Sequence, residues 1–236
     1  MKYVIVGNSA AAVGAVEAIR RNDKEGSITI ISDEKHHVYS RPLISYLLLG
    51  KTDENRMKYR DDGFYIDNGC ELLSGKTAVK IDPGEKRVVL DDGAFVSYDR
   101  LLLCTGSSPF VPPVPGLDKV KSKFTFTTLD DAKALNDALK ENSRVLIVGA
   151  GLIGLKCAEG ISKKKVKITC IDLAPRVLSS ILDDESSEIV KRHLEEHDIR
   201  FYLNQQVMEL EEDTAYLGDN TAIRFDVLVM AVGVRP

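Results

Sequence analysis

Two short apolar runs in this chain each end in a glycine turn that opens a helix, and the turns start at Gly7 and Gly149, 142 residues apart. The first reads Tyr3-Val4-Ile5-Val6-Gly7-Asn8-Ser9-Ala10-Ala11-Ala12, the second Val145-Leu146-Ile147-Val148-Gly149-Ala150-Gly151-Leu152-Ile153-Gly154. In a loop of this kind the first glycine allows a tight turn out of a strand. The second lets the backbone approach a pyrophosphate, and the third lets the helix pack on the strand. The helix N-terminus then offers unpaired N–H groups and partial positive charge to the phosphates. The second copy carries all three glycines. In the first, Ser9 and Ala12 stand at the second and third places, so a dinucleotide fits there more tightly.

Each finger calls for a ribose-binding carboxylate at the end of the next strand, about 20 residues on. Ser27–Ser32 leads into Asp33 and Glu34, and Val166–Ile171 leads into Asp172. An acid at that place favours the free 2′-hydroxyl of NAD, and Arg176 lies close enough to blur the preference. Two such fingers imply two dinucleotides on one protein, with electrons passing between them.

The fold expected is α/β, with two Rossmann-like (βαβ, three-layer) dinucleotide-binding domains, each with a β-meander. Each half runs finger, βαβ, meander, apolar strand, glycine turn. The apolar strands are Leu101–Cys104, before Thr105-Gly106, and Val227–Val232, before Gly233. The proline-rich Pro109–Gly116 is stiff and extended, and it marks the boundary. Residues 1–110 and 111–236 are thus the expected domains. A helix is expected over Leu129–Asn142, a mobile charged stretch over Lys51–Asp62, and a loop running into a short helix over Val38–Gly50.

A net charge of −4 gives no electrostatic reason to expect nucleic acid or an anionic membrane as partner. No apolar run reaches the ~18–20 residues of a membrane span. Met1 opens directly on the first strand, so a cytoplasmic location is expected. Cys70, Cys104, Cys157 and Cys170 are scattered without a Cys-x-x-Cys pair, and they read as small apolar residues. His193-Leu194-Glu195-Glu196-His197 fits a zinc-peptidase pattern, but its helix is polar throughout and no third ligand accompanies it. With His36-His37 read as loop, no metal is expected.

The chain resembles the pyridine nucleotide-disulfide oxidoreductase superfamily of FAD- and NAD(P)H-dependent flavoproteins. Besides the fingers, Tyr98–Pro109 is similar to the family element Y-D-x-L-L-x-A-T-G-x-x-P, and Asp226–Pro236 is similar to its partner element. The resemblance implies FAD at the first finger and NAD, as NADH rather than NADPH, at the second. It implies that Cys104, Thr105 and Gly106 lie along the flavin nucleotide and that Ala78 and Val79 offer backbone contacts to its adenine. Val232 and Gly233 would close the second site. The loop after the first βαβ holds Ser40-Arg41-Pro42-Leu43 and no cysteine. That is similar to the rubredoxin reductase, ferredoxin reductase and assimilatory nitrite reductase group, in which this loop borders the flavin. Arg41 would pair a pyrophosphate or neighbouring carboxylate, or else is a solvated arginine, with Pro42 beside it.

Relatives carry glutamate two residues after the last glycine of the NAD finger, where this chain has Lys156. A cation there would stabilise a reduced flavin at the nicotinamide junction. Alternatively Lys156 is a plain helix residue paired with a carboxylate. The family chain also returns from the NAD domain to finish the FAD domain, with a Gly-Asp flavin contact. On that comparison this chain is a piece of a longer enzyme and its FAD domain is incomplete. The function expected is hydride transfer from NADH to flavin, then electron release to a rubredoxin- or ferredoxin-type carrier or a fused reductase domain. The alternative is a non-catalytic module whose docking responds to NAD.

Overall fold

The computed structural model describes every residue from Met1 to Pro236. Strand β1 (Lys2–Val6), helix α1 (Ala10–Asn22) and strand β2 (Ser27–Ser32) open the chain, followed by α2 (Ile44–Leu48), α3 (Glu54–Met57) and α4 (Phe64–Asp67). Next come β3 (Cys70–Ser74), β4 (Ala78–Asp82), β5 (Arg87–Leu90), β6 (Phe95–Ser97) and β7 (Arg100–Leu103). The chain continues with β8 (Ser108–Pro109), β9 (Lys123–Phe124), α5 (Leu129–Ala138), β10 (Arg144–Val148), α6 (Leu152–Ile161) and β11 (Lys167–Ile171). It then forms α7 (Asp184–Glu195) and β12 (Ile199–Tyr202). It ends with β13 (Val207–Leu210), β14 (Thr214–Leu217), β15 (Ala222–Arg224), β16 (Val227–Met230) and β17 (Val234–Arg235).

Two compact units result. The first is Met1–Ser40 with Glu54–Gly106 and Pro236; the second is Arg41–Asp53 with Ser107–Arg235. The sequence pointed to a single cut after residue 110. In the structure, Arg41–Asp53 groups with the second unit because α2 packs closely on α6. A Cβ on Gly160 would lie only 3.2 Å from the Ser45 carbonyl oxygen.

In the first unit a parallel sheet runs β3-β2-β1-β7, and β4-β5-β6 forms an antiparallel meander. The central strand is buried on both faces, as its unbroken apolar run requires. Ile5 packs with Ala12, Val13 and Val16 of α1, while Val4 and Val6 pack with Val88 and Leu90 of the meander. This alternation is the period-2 strand pattern serving two layers at once. The stretch expected to be mobile is tied down: Met57 is buried, Ser40 N–H donates to the Met57 carbonyl, and Tyr59 N–H donates to that of Val38. One buried methionine overrides the polar composition around it.

The second unit repeats the plan. Its parallel sheet runs β12-β11-β10-β16-β9, with β13-β14-β15 as the meander. Leu146 of β10 joins the cluster containing Leu210, Leu217, Phe225 and Leu228, while Ile147 lies on the α6 side beside Gly154. Helix α5 begins with a capping box between Thr128 and Asp131 and ends at Ala138, short of the expected Asn142. Leu139 is already extended and Asn142 sits at φ +66°, which ends the helix. No helix of the chain is long and apolar enough to cross a membrane.

Candidate functional site: two uncapped helix N-termini

The two fingers are built alike. Gly7 N–H donates to Ile31 O at 2.8 Å and Gly149 N–H to Ile171 O at 2.7 Å, tying each turn to the next strand. Both glycines adopt positive φ, +110° and +113°. A Cβ on Gly7 would lie 2.1 Å from Cys104 O, and one on Gly149 would lie 2.3 Å from Ala231 O. Each turn therefore lies against the chain at the end of the neighbouring parallel strand, β7 or β16, and a side chain there would separate them.

The other loop positions differ in kind. At Gly154 a Cβ would meet Gly149 O at 1.9 Å, so the fold itself requires glycine. At Gly151 a Cβ would meet nothing within 4 Å. Packing within the chain makes no demand there; the missing side chain leaves space open at the start of α6. In the first finger Ala12 is fully buried against β1, so the helix–strand spacing there admits one methyl group.

The helices of ten or more residues differ at their N-terminal ends. Helix α5 has its capping box and Asp130 and Asp131 in its first turn, and α7 has Asp183 as cap with Asp184 and Glu185 following. Helices α1 and α6 have no side-chain cap bond and no acid in the first turn. No side chain of their own cap or first turn occupies the first N–H groups or offsets the dipole. In the first unit Tyr65 Oη donates to Asn8 Oδ1 at 3.0 Å and accepts from Val38 N–H at 3.1 Å, pinning the finger from a helix 57 residues away. Sequence reading did not find Tyr65, because nothing local distinguishes it from a packing aromatic.

The acids are not in equivalent register. Ile31 and Ile171 receive the matching turn hydrogen bonds, so Asp172 corresponds to Ser32, and Asp33 and Glu34 come one and two residues later. Both oxygens of Asp172 are held by backbone, Oδ2 by Ala150 N–H at 2.5 Å and Oδ1 by Ala174 N–H at 2.8 Å. Asp33 Oδ1 accepts from Glu34 N–H at 3.0 Å, and Glu34 Oε2 accepts from Tyr39 Oη at 2.6 Å.

The remaining expected residues fall as follows. Gly106 and Gly233, which follow Thr105 and Val232, both adopt positive φ, +68° and +124°. The β4–β5 register shifts between Ala78 and Lys80, which makes Val79 a bulged, exposed residue. Leu152 is exposed at the start of α6, with Ile153 beside it. Arg41 lies in the second unit, where Nη1 donates to Thr127 O at 3.0 Å, and Pro42 follows it in a 3-10 turn. Lys156 Nζ is ion-paired with Glu159 and stands 4.3 Å above the Tyr46 ring, so the helix-residue alternative describes its contacts here.

Burial pushes the thiols of Cys70 and Cys104 upward, pushes that of Cys170 to about 12, and raises that of fully buried Cys157 still further. These are poor nucleophiles. The His193 and His197 rings lie 4.5 Å apart, tilted to one another, on an exposed face, and His197 Nδ1 lies 2.8 Å from His193 O. No group of three or more His, Cys, Asp or Glu residues is placed to hold a metal ion.

Comparison with known proteins agrees with this geometry. The chain is 33% identical over 239 residues to the epsilon subunit of an NADH-dependent phenylglyoxylate dehydrogenase from Aromatoleum evansii, covering all of this chain and 56% of that one. It is 36% identical over 240 residues to a nitrite reductase [NAD(P)H] of Bacillus subtilis, covering all of this chain and 30% of the relative. A solved ferredoxin reductase from Rhodopseudomonas palustris superposes with a TM-score of 0.91 at 28% identity, over all of this chain and 59% of the other. The chain thus spans between about a third and three-fifths of these relatives. The family model for pyridine nucleotide-disulphide oxidoreductases matches residues 1–236, and the chain belongs to that family.

Proposed function

We propose that this protein is a flavoprotein reductase that takes hydride from NADH and passes electrons to a rubredoxin- or ferredoxin-type carrier or to a fused reductase domain. One observation carries the reading. Both finger helices begin without cap or acid, while the other two long helices have both. When bound, FAD and NADH supply the reactive atoms, so the chain needs no nucleophile or general base for hydride transfer.

The residues present fit the two cofactors. In the first unit Gly7, Ser9 and the N–H groups of Ala10, Ala11 and Ala12 would receive the FAD pyrophosphate, with Asp33 and Glu34 on its ribose. The bulge at Ala78-Val79 would meet adenine, and Cys104-Thr105-Gly106 would run along the nucleotide. In the second, Gly149, Gly151, Leu152, Ile153 and Gly154 would receive the NADH pyrophosphate. Asp172, held by two N–H groups, would accept from the ribose hydroxyls, and Val232-Gly233 would close the far side. The fixed carboxylate favours NADH over NADPH. A cytoplasmic location goes with this reading, since reduced pyridine nucleotide is the electron source.

The test is the absorption spectrum of the purified full-length protein, supplemented with FAD, before and after anaerobic NADH. A flavin band that NADH bleaches is expected. A protein that binds no flavin, or a yellow protein that NADH leaves oxidised, overturns the proposal.

A further inference from the structure

The sequence leaves Arg176 free to meet a 2′-phosphate, but the structure commits it elsewhere. Its Nη1 lies 3.0 Å from the Asp184 carboxylate, and Nε and Nη2 each point at a carbonyl, Leu182 O and Ser179 O, at 3.3 Å. Arg176 and Asp184 border a hollow of about 580 Å³, with Pro175, Lys191 and Phe201 also in its wall. Lys191, the second cation of that wall, sits 3.8 Å from Glu188 and 3.4 Å from Glu195. Both cations of this wall, Arg176 four residues after Asp172 and Lys191, are therefore already paired with carboxylates.

A 2′-phosphate arriving here would add close to two negative charges beside Asp172, with no uncommitted guanidinium to receive them. Arginine is otherwise well suited to that task, since its planar fork binds phosphate with two parallel N–H bonds. Resting on the NADH reading above, we infer that Asp184 is a specificity-determining residue of the second finger. By holding Arg176 against the start of α7, it denies NADPH its phosphate partner.

The Asp184 side chain is 91% exposed, so the pair is an exposed one and its release changes affinity modestly. Asp183, which caps α7 by accepting from Ser186 N–H, remains in place when Asp184 is changed. Calorimetric titration of the protein with NADH and with NADPH gives the ratio of the two dissociation constants. For Asp184→Ala that ratio is expected to shift toward NADPH by about two- to fivefold, the range for one exposed ion pair. In the double variant Asp184→Ala with Arg176→Ala the shift is expected to vanish, because the Arg176 Nη1 that Asp184 releases is what binds the phosphate. A ratio unmoved in the single variant, or a gain that survives in the double variant, overturns the inference. Unaltered protein that binds neither nucleotide overturns the dinucleotide reading itself, which is a separate result.

Discussion

Gly151 and Gly154 stand three residues apart in one loop, yet the structure gives them opposite jobs, and alanine at each position separates them. A Cβ at Gly154 would sit 1.9 Å from Gly149 O and 3.3 Å from Ile147 Cγ2. The nearer obstacle is a backbone carbonyl that cannot swing aside, so α6 must move outward from β10 by about an ångström or more to restore contact near 3.2–3.5 Å. Overpacking of this kind costs about 1–3 kcal/mol or more. Better helix propensity returns up to ~1 kcal/mol. The net loss is about 2 kcal/mol, a fall in Tm of about 4–8 °C at this chain length.

Gly151→Ala meets open space at φ −79°, ψ −173°, a backbone that alanine adopts without strain. Alanine is a poorer N-cap than glycine by roughly 0.5–1 kcal/mol, and the narrower unfolded ensemble offsets about 0.4–1 kcal/mol of that. Tm is therefore expected to stay within about 2 °C of the unaltered protein. NADH affinity is expected to fall at least about tenfold, since the added methyl group occupies the space through which, on the proposed reading, the backbone would meet the pyrophosphate. Circular dichroism melts and calorimetric NADH titration read the two effects separately. If Gly151→Ala lost as much Tm as Gly154→Ala, or bound NADH as tightly as the unaltered protein, the division of labour would be refuted.

Three further outcomes follow from contacts already described. Hydrogen bonds from Arg144 hold the Asp226 carboxyl down at about 2 against an ordinary 3.8, so its stabilisation is present above about pH 4 and lost as pH falls through 2. Both side chains are about two-fifths exposed, so Asp226→Asn should cost under ~1 kcal/mol at pH 7, and the difference in melts should narrow below about pH 4 and close below pH 2. Cys157 and Cys170, buried with raised thiols, should resist iodoacetamide in folded protein and react only after denaturation, as mass spectrometry of the peptides would report. Thr128→Ala removes half of the capping box of α5 and should destabilise by about 1 kcal/mol, while Thr128→Ser should restore most of it in urea melts.

The fingers were legible because they are local. Strand, glycine turn and helix succeed one another in about a dozen residues, and each step has a residue-level cause. The strand-start acids were legible as motif letters but not as structure. Asp99 accepts from Lys2 N–H at 2.7 Å and Asp226 from Arg144 N–H at 2.7 Å, the same clasp at the foot of each sheet. What sequence missed is set by distant partners. The membership of α2 depends on a close approach to Gly160 more than 100 residues away, and the anchoring of residues 51–62 depends on burying Met57. The register of the acids could not be read from spacing. Asp33 and Asp172 both follow a strand, and only the turn hydrogen bonds to Ile31 and Ile171 reveal the offset.

The first finger carries Ser9 where the second carries Gly151. Serine at an N-cap ordinarily turns its hydroxyl onto the second or third N–H of the helix and satisfies it. Ser9 occupies the N-cap of α1 with extended backbone, φ −138° and ψ −164°, yet its side chain makes no such bond. The first-turn donors of α1 therefore stay as open as those of α6, although the residue type predicts a closed end. Substitution at the second glycine and conservation of the donor array are compatible because the hydroxyl leaves those donors alone. Asp33 and Glu34, the acids proposed for the first ribose, lie beyond the position where Asp172 bonds directly to the loop N–H of Ala150. The two sites share a helix end and a glycine turn, and they differ in how the carboxylate is attached to that turn. In the second, loop and acid are fastened together before any ligand arrives. In the first the loop is fastened by Tyr65 to Asn8, and the acids by Tyr39 to Glu34, through separate contacts.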